Sequence, residues 1–418
     1  MAKVITTELQ HSGASGANIT LDSSKNVTCE NNLQVDGALT VTGAINGSGA
    51  SLTGIATRTQ PFRNIIINGG MQVWQRGTSS NLVGYRTADR WQTGFAGTHE
   101  DPTRSKLDLT SSDTGPWAKG FRSAYRITNG NQTSVEAGDE IAIYYAVEAQ
   151  DMATSGWDYT SSSSKITLQF WVRSSIAQNY YGYIRTIDGT QRAYAFETGS
   201  LSANTWTKIT KTIPGDSNIS FDLNSNLGMH IVIAPFYGTD RTTSGRALNT
   251  WINNDDNNRV PDMTNTWYDT NDATFDLTGV QLEVGDTATE FEHRSYGDEL
   301  QRCQRYYYRL QNDSGSSSAH WYGAGFVDSQ TQLRGGIVLP QHMRTAPTSF
   351  ETTGTAGDYA VWNAGNTTTT CSGVPNWSST SSSSGRLTFT VASGLNSGQG
   401  GAFRALTTDS YLAWSAEL

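Results

Sequence analysis

The sequence predicts an all-β protein, and three observations carry that prediction. No long stretch of the 418 residues is patterned for a helix of Ala, Leu, Glu and Lys. Aromatic residues reach 10%, twelve Trp among them, while charged residues stop at 16%. A disordered chain shows the reverse, few aromatics and many charges. Short runs of β-branched and aromatic residues recur between loops rich in Ser, Thr, Asn and Gly, the texture of strands and turns. The length allows two or three domains, each with its own core.

Residues 1–58 form the first predicted unit. From Ala17 to Ile55 the apolar residues come singly or as alternating pairs, separated by Gly, Asn, Asp or Ser: Ile19, Leu21, Val27, Leu33, Val35, Leu39, Val41 and Ile45. Strands this short close no core within one chain. Three copies wound about an axis bury the stripe and pair every strand edge with a neighbour. The segment therefore reads as an intertwined β-structure whose core is those eight residues and whose state is a homotrimer.

Residues 59–294 change texture. Runs such as EIAIYYAVEA (140–149), KITLQFWVRS (165–174), MHIVIAPFY (229–237) and TFDLTGVQLEV (274–284) read as strands without intervening helices. Ile166, Leu168, Phe170 and Val172 alternate with their neighbours, as do His230, Val232 and Ala234 with Ile231 and Ile233. Strands at this spacing predict a two-sheet sandwich of jelly-roll type. Residues 295–310 predict a short linking helix: Ser295 and Asp298 stand at capping-box spacing, and Tyr296, Leu300, Cys303 and Tyr307 share a face that fits a neighbouring copy. Residues 311–418 return to β texture and predict a second, smaller sandwich.

Several classes of function are disfavoured. A net charge of −9 with no basic stripe argues against a nucleic-acid partner. Cys29, Cys303 and Cys371 lie far apart, in neither a disulfide framework nor a zinc pattern. The N-terminus lacks a signal-peptide core and no run approaches membrane-spanning length, so membrane insertion is not expected. No GxSxG elbow or HExxH pair occurs. Glycoside cleavage needs two carboxylates about 5–10 Å apart; Asp188, Glu197, Asp222 and Asp240 are available, without a sequence signal that joins them. The expectation is a non-enzymatic protein with no cofactor.

Three stretches resemble bacteriophage tail-fibre proteins. ITTELQHSGASGANITLDSSKNVTC (5–29) is similar to the start of fibre-like proteins from phages of cyanobacteria. NIIINGGMQVWQRGTS with TADRW (87–91) resembles the opening of a carbohydrate-binding-type jelly roll found in tail fibres. GVQLEVGDTATEFEHRSYGDELQRCQRYY (279–307) and LPQHMRTAPTSF (339–350) resemble its close and the module that follows. The resemblance implies a receptor-binding virion protein, made in the host cytoplasm. It is joined to the tail or an adaptor through residues 1–58 and directed at a host surface glycan such as lipopolysaccharide. A capsid-borne fibre, an adaptor without receptor binding and a polysaccharide depolymerase are the alternatives. His342, inside one of these stretches, is expected to pack or cap a strand.

Aromatic rings in polar loops are the candidate contacts, because a flat indole matches the apolar C–H face of a pyranose while nearby polar groups bond its hydroxyls. Trp362 with Asn363, and Trp377 with Asn376, border Asn/Gly/Ser loops, as do Trp157 and Trp251. INNDDNNRVPD (252–262) is dense in oxygen ligands, which makes Asp255 and Asp256 a weak calcium candidate.

Overall fold

The structure, a computed structural model, describes residues 63–311, 320–365 and 367–418, together with the backbone of three short strands nearer the N-terminus. The chain divides into two units, Met1–Gln60 and Pro61–Leu418. In the first unit, β1 (Glu8–Leu9), β2 (Ile19–Leu21) and β3 (Val27–Cys29) form an antiparallel three-stranded sheet. Ile19, Leu21 and Val27 lie on its strands, with Leu21 opposite Val27. Their side chains, and Leu33, Val35, Leu39, Val41 and Ile45 altogether, lie outside the described residues.

The second unit opens with a two-sheet sandwich. One sheet has six strands in the order β13-β10-β16-β8-β7-β4. These are β4 (Ser79–Ser80), β7 (Thr103–Asp108), β8 (Ser123–Thr128), β10 (Lys165–Ser174), β13 (Thr207–Pro214) and β16 (Thr274–Val284). The other has seven, in the order β15-β12-β11-β14-β9-β6-β5. They are β5 (Gly84–Tyr85), β6 (Trp91–Ala96), β9 (Glu140–Glu148), β11 (Asn179–Thr186), β12 (Arg192–Ser200), β14 (Leu227–Tyr237) and β15 (Trp251–Asn253). The period-2 reading holds: Ile166, Leu168, Phe170 and Val172 are all fully buried between the sheets. Burial of such side chains contributes about 1.5–3 kcal/mol each. On β14, Met229, Ile231 and Ile233 join that core, while Val232 and Ala234 belong to a second cluster on the outer face, where Val260 and Leu248 from the following loop cover them.

Helix α3 (Tyr296–Gln304), which follows the short α1 (Ala149–Ala153) and α2 (Thr266–Asp269), begins where the sequence places it. The Ser295 hydroxyl accepts the Asp298 N–H and donates to its carboxylate. Its buried face differs from the predicted one. Cys303 is buried as expected, but Tyr296 is exposed, Tyr307 has left the helix for a strand, and Glu299 is buried in their place. The reason is polar: the Glu299 carboxylate accepts the Asn68 N–H of the sandwich and pairs with Arg294 at 3.5 Å. The helix thus sits on the sandwich of its own chain. Just beyond it, Arg305 grips the buried Glu148 carboxylate with two hydrogen bonds of 2.8 Å, and the Tyr306 hydroxyl adds a third at 2.5 Å. Burial pushes the Glu148 carboxyl up, but these donors hold it below its ordinary value.

The C-terminal β-unit closes on itself. Strands β18 (Trp321–Ser329), β19 (Gln332–Val338), β21 (Tyr359–Asn363), β22 (Thr368–Ser378), β23 (Ser384–Val391) and β24 (Gly400–Ala405) form a barrel in the order β18-β19-β23-β22-β21-β24. Phe389, Phe403, Leu333 and Leu387 are fully buried in its core, with Tyr322, Tyr359 and Val361 around them. Gly335 is required there, since a Cβ would lie 2.6 Å from the Ala324 carbonyl oxygen and 2.8 Å from the Phe403 ring. A three-stranded sheet of β17 (Tyr307–Gln311), β25 (Tyr411–Ser415) and β20 (Ser349–Glu351) stands beside the barrel. After β25, Glu417 reaches back into the sandwich to pair with the buried Arg90 and with Arg76.

Candidate functional site

A barrel strand sends alternate side chains inward and outward. With the interior full, large residues in the outward register have only the surface. Trp321 is 50% exposed, Phe326 55% and Val338 79%. Trp321 on β18 and Trp362 on β21 flank β24, their ring centroids 5.0 Å apart and their planes at 40°. Ala402 on β24, opposite Trp362, is buried and small enough for the two indoles to meet above it. Arg404 lies opposite Trp321 and donates to the Thr368 hydroxyl at 2.7 Å, and Thr368 lies opposite Trp362. The result is a broad apolar platform with a guanidinium and a hydroxyl at its margin. It offers a pyranose face a stacking surface and its hydroxyls both donors and an acceptor.

Of the predicted contacts, Trp362 belongs to this platform. Asn363 follows it in the chain, but its side chain turns inward to accept the Gly365 and Thr367 N–H groups and shape the β21–β22 turn. Asn376 is exposed on β22, opposite Thr388. Trp377 is engaged elsewhere: it lies flat over Gly385, stacks on Phe350 at 6.2 Å and meets Trp414 edge-on at 5.3 Å. Trp157 and Trp251 are core residues, 3% and 7% exposed. Trp157 closes one end of the sandwich against Tyr159, and the Trp251 indole donates to the Pro214 carbonyl at 2.7 Å. A polar loop next to a tryptophan does not expose it when the chain doubles back over the sheet edge. Trp321, Arg404 and Thr368 escaped the sequence reading; the alternation of exposed Trp321 with buried Tyr322 was the available signal.

The Asp255–Asp256 loop has other employment. The Asp255 carboxylate accepts the Asn257 N–H, a local turn, while Asp256 pairs with Arg185 at 3.3 Å and Arg259 at 3.8 Å. Among the described residues, no group of three or more His, Cys, Asp or Glu side chains is placed to hold a metal ion. Of the four carboxylates considered for glycoside cleavage, Asp188 and Asp222 come together, the Asp188 side chain accepting the Asp222 N–H at 3.0 Å. Glu197 binds the Asn179 amide. Cys303 and Cys371 are buried and unpaired, and burial pushes the Cys371 thiol up to about 12. No described helix is long and apolar enough to cross a membrane.

Two further polar surfaces stand out. On the outer face of the seven-stranded sheet, His230 lies opposite Arg185 and edge-on to Tyr144 at 6.0 Å. Burial first, and Arg185 second, push its imidazole down to about 4, so it stays neutral at physiological pH. Near the start of α3, His342 is exposed, contrary to the expected packing, and lines a cleft of about 770 Å³ with Arg294, Arg302 and Asp298.

No family profile matches the chain, and no curated protein does. Solved structures give only distant likenesses. A putative sugar-binding protein from Bacteroides thetaiotaomicron aligns with 53% of this chain and 100% of its own, at 10% identity and a TM-score of 0.29. The carbohydrate-binding module TmCBM61, solved with β-1,4-galactotriose, aligns with 54% of this chain and 99% of its own, at 8% identity and a TM-score of 0.27. The enzymatically active domain of tailspike protein 4 from bacteriophage CBA120 aligns with 54% of this chain at 9% identity and a TM-score of 0.28. The match spans 22% of that tailspike chain.

Proposed function

We propose that this chain is a virion attachment protein, a homotrimeric bacteriophage tail fibre that holds the particle to a glycan on the host surface. The observation that carries the binding half is the Trp321–Trp362 pair, Trp321 half exposed and Trp362 partly buried, edged by Arg404 and Thr368. Exposed indole area costs solubility, and its retention beside hydrogen-bonding groups fits a ligand with one apolar and one polar side. The virion half rests on the sequence resemblance, with residues 1–58 as the trimerising segment that meets the tail or an adaptor.

Weak sites suffice in this arrangement. Millimolar affinity corresponds to about −4 kcal/mol. Three sites on one trimer raise avidity by roughly 10²–10⁴ without new contacts. The test is competition: the purified full chain should block adsorption of the phage that carries it, and the variant with both Trp321→Ala and Trp362→Ala should not. If both block equally, the platform is not the contact. If neither blocks while the protein remains on the virion, an adaptor or capsid decoration replaces the receptor-binding reading. Release of oligosaccharide from host envelopes would replace it with a depolymerase.

A further inference from the structure

The outer face of the six-stranded sheet differs in charge from the rest of the molecule. The chain carries a net charge of −9, yet Lys119 in the β7–β8 connection and Lys165 and Lys208 in the outward register of β10 and β13 stand on this face, whereas Lys106 and Lys211 lie opposite the core residues Tyr125 and Leu168. The same face carries aromatic rings. Trp117, Trp171, Trp206 and Phe291 are partly covered and pack on Phe121 and Leu109. Trp171 is seated by two glycines with positive φ: a Cβ on Gly115 would lie 2.7 Å from its ring, and one on Gly279 3.1 Å.

The cations beside these rings are largely uncommitted. Lys208, exposed and opposite Trp171, makes no hydrogen bond or ion pair among the described residues. The Arg122 guanidinium lies 3.7 Å from the centre of the Trp117 ring and donates to the Trp117 and Phe121 carbonyls, with no carboxylate partner. Lys119 pairs with Glu290 at 3.2 Å, but both are exposed, and solvent screens such a pair. Lys119, Lys208, Trp171 and Phe291 line one shallow depression in which Glu290 is the acidic residue. Other carboxylates of this face are engaged: Asp113 and Asp276 bind Arg173, Asp276 also binds Arg126, and the buried Glu283 pairs with Arg63 and accepts from Gln281 and Thr289.

We propose that this face is a second, charge-selective site for an anionic saccharide. A sugar ring bearing a carboxylate or phosphate stacks on Trp171, and its anion is held by Lys208, with Lys119 exchanging Glu290 for the ligand. The proposal rests on the reading that the chain binds surface glycans, but its residues and its ligand class are separate from those of the barrel platform.

The test is calorimetric titration of the full chain with tetragalacturonate, a phosphomannan oligosaccharide, neutral galactotetraose and inorganic phosphate. At least one anionic saccharide should bind, with its Kd weakened tenfold or more by Lys208→Glu or Lys119→Glu and by added salt. The variant with Trp321→Ala and Trp362→Ala should bind it as the wild type does. Both charge reversals are on exposed side chains, and unchanged thermal unfolding confirms that the fold is kept. The proposal is overturned if neither anionic saccharide binds, if galactotetraose binds this face equally well, if inorganic phosphate alone matches the phosphosaccharide, or if both charge reversals leave affinity unchanged. Loss of neutral-glycan binding by the barrel with this site intact would fail the platform reading alone.

Discussion

In the sandwich, Trp91, Trp157, Trp251 and Trp267 are buried, while in the barrel Trp321 is half exposed and Trp362 beside it only partly covered. The difference follows from geometry. Two sheets of six and seven strands enclose a slab wide enough to take indoles from both sides, and Trp267 fits there with its N–H donating to the Thr274 carbonyl at 3.1 Å. A six-stranded barrel already filled by Phe389 and Phe403 has no such room. Trp321 and Trp362 therefore present a surface where these four sandwich tryptophans give structural support. Substitution should separate the two roles.

The largest effect is expected from Trp267→Ala, which empties a fully buried site and should cost about 3–5 kcal/mol in urea unfolding. A loss below about 1 kcal/mol would show that the sandwich does not depend on its tryptophans. Next is the junction between the two regions. Glu417→Ala leaves Arg90 buried without its carboxylate partner, a change worth roughly 3 kcal/mol. If the barrel and sandwich then unfold in separate steps, the ion pair is what couples them; an unchanged single transition at wild-type stability contradicts the coupling.

A smaller effect concerns pH. His230 is held neutral in the fold with its imidazole lowered to about 4, whereas in the unfolded chain it titrates near 6.5. As pH falls from about 6.5 to about 4 the unfolded state takes up the proton first, so stability falls. Relative to His230→Gln, the wild type should lose roughly 2–3 kcal/mol between pH 7 and pH 4, read by chemical unfolding at both. Equal losses would place the imidazole in a less confined setting. The smallest effect on stability is expected from Trp321→Ala, about 1 kcal/mol, because half of the ring is already in water.

The strands of the sandwich were legible because their period-2 pattern reports one buried face, as Ile166, Leu168, Phe170 and Val172 show. The N-cap of α3 was legible for a similarly local reason, the Ser295–Asp298 spacing. Its buried face was not, since Glu299 is drawn inward by the Asn68 N–H, more than two hundred residues earlier in the chain. Trp157, Trp251 and Trp377 misled for the same cause. Whether an indole beside a polar loop is covered depends on what returns over it, and Trp414 packed on Trp377 or the Pro214 carbonyl facing Trp251 is a long-range fact. Trp362 was found in sequence, but its partner Trp321 was not, because strand order in the barrel sets β24 between them.

The central claim is that the barrel tryptophans form a binding surface and not a structural one. Titration of the full chain with bacterial surface glycans, followed by tryptophan fluorescence, tests it most directly. A saccharide that perturbs the wild-type emission should bind the Trp321→Ala/Trp362→Ala variant at least tenfold more weakly, while the variant keeps a single cooperative unfolding transition. Equal affinity in the two proteins, or loss of affinity only together with loss of the fold, would contradict it.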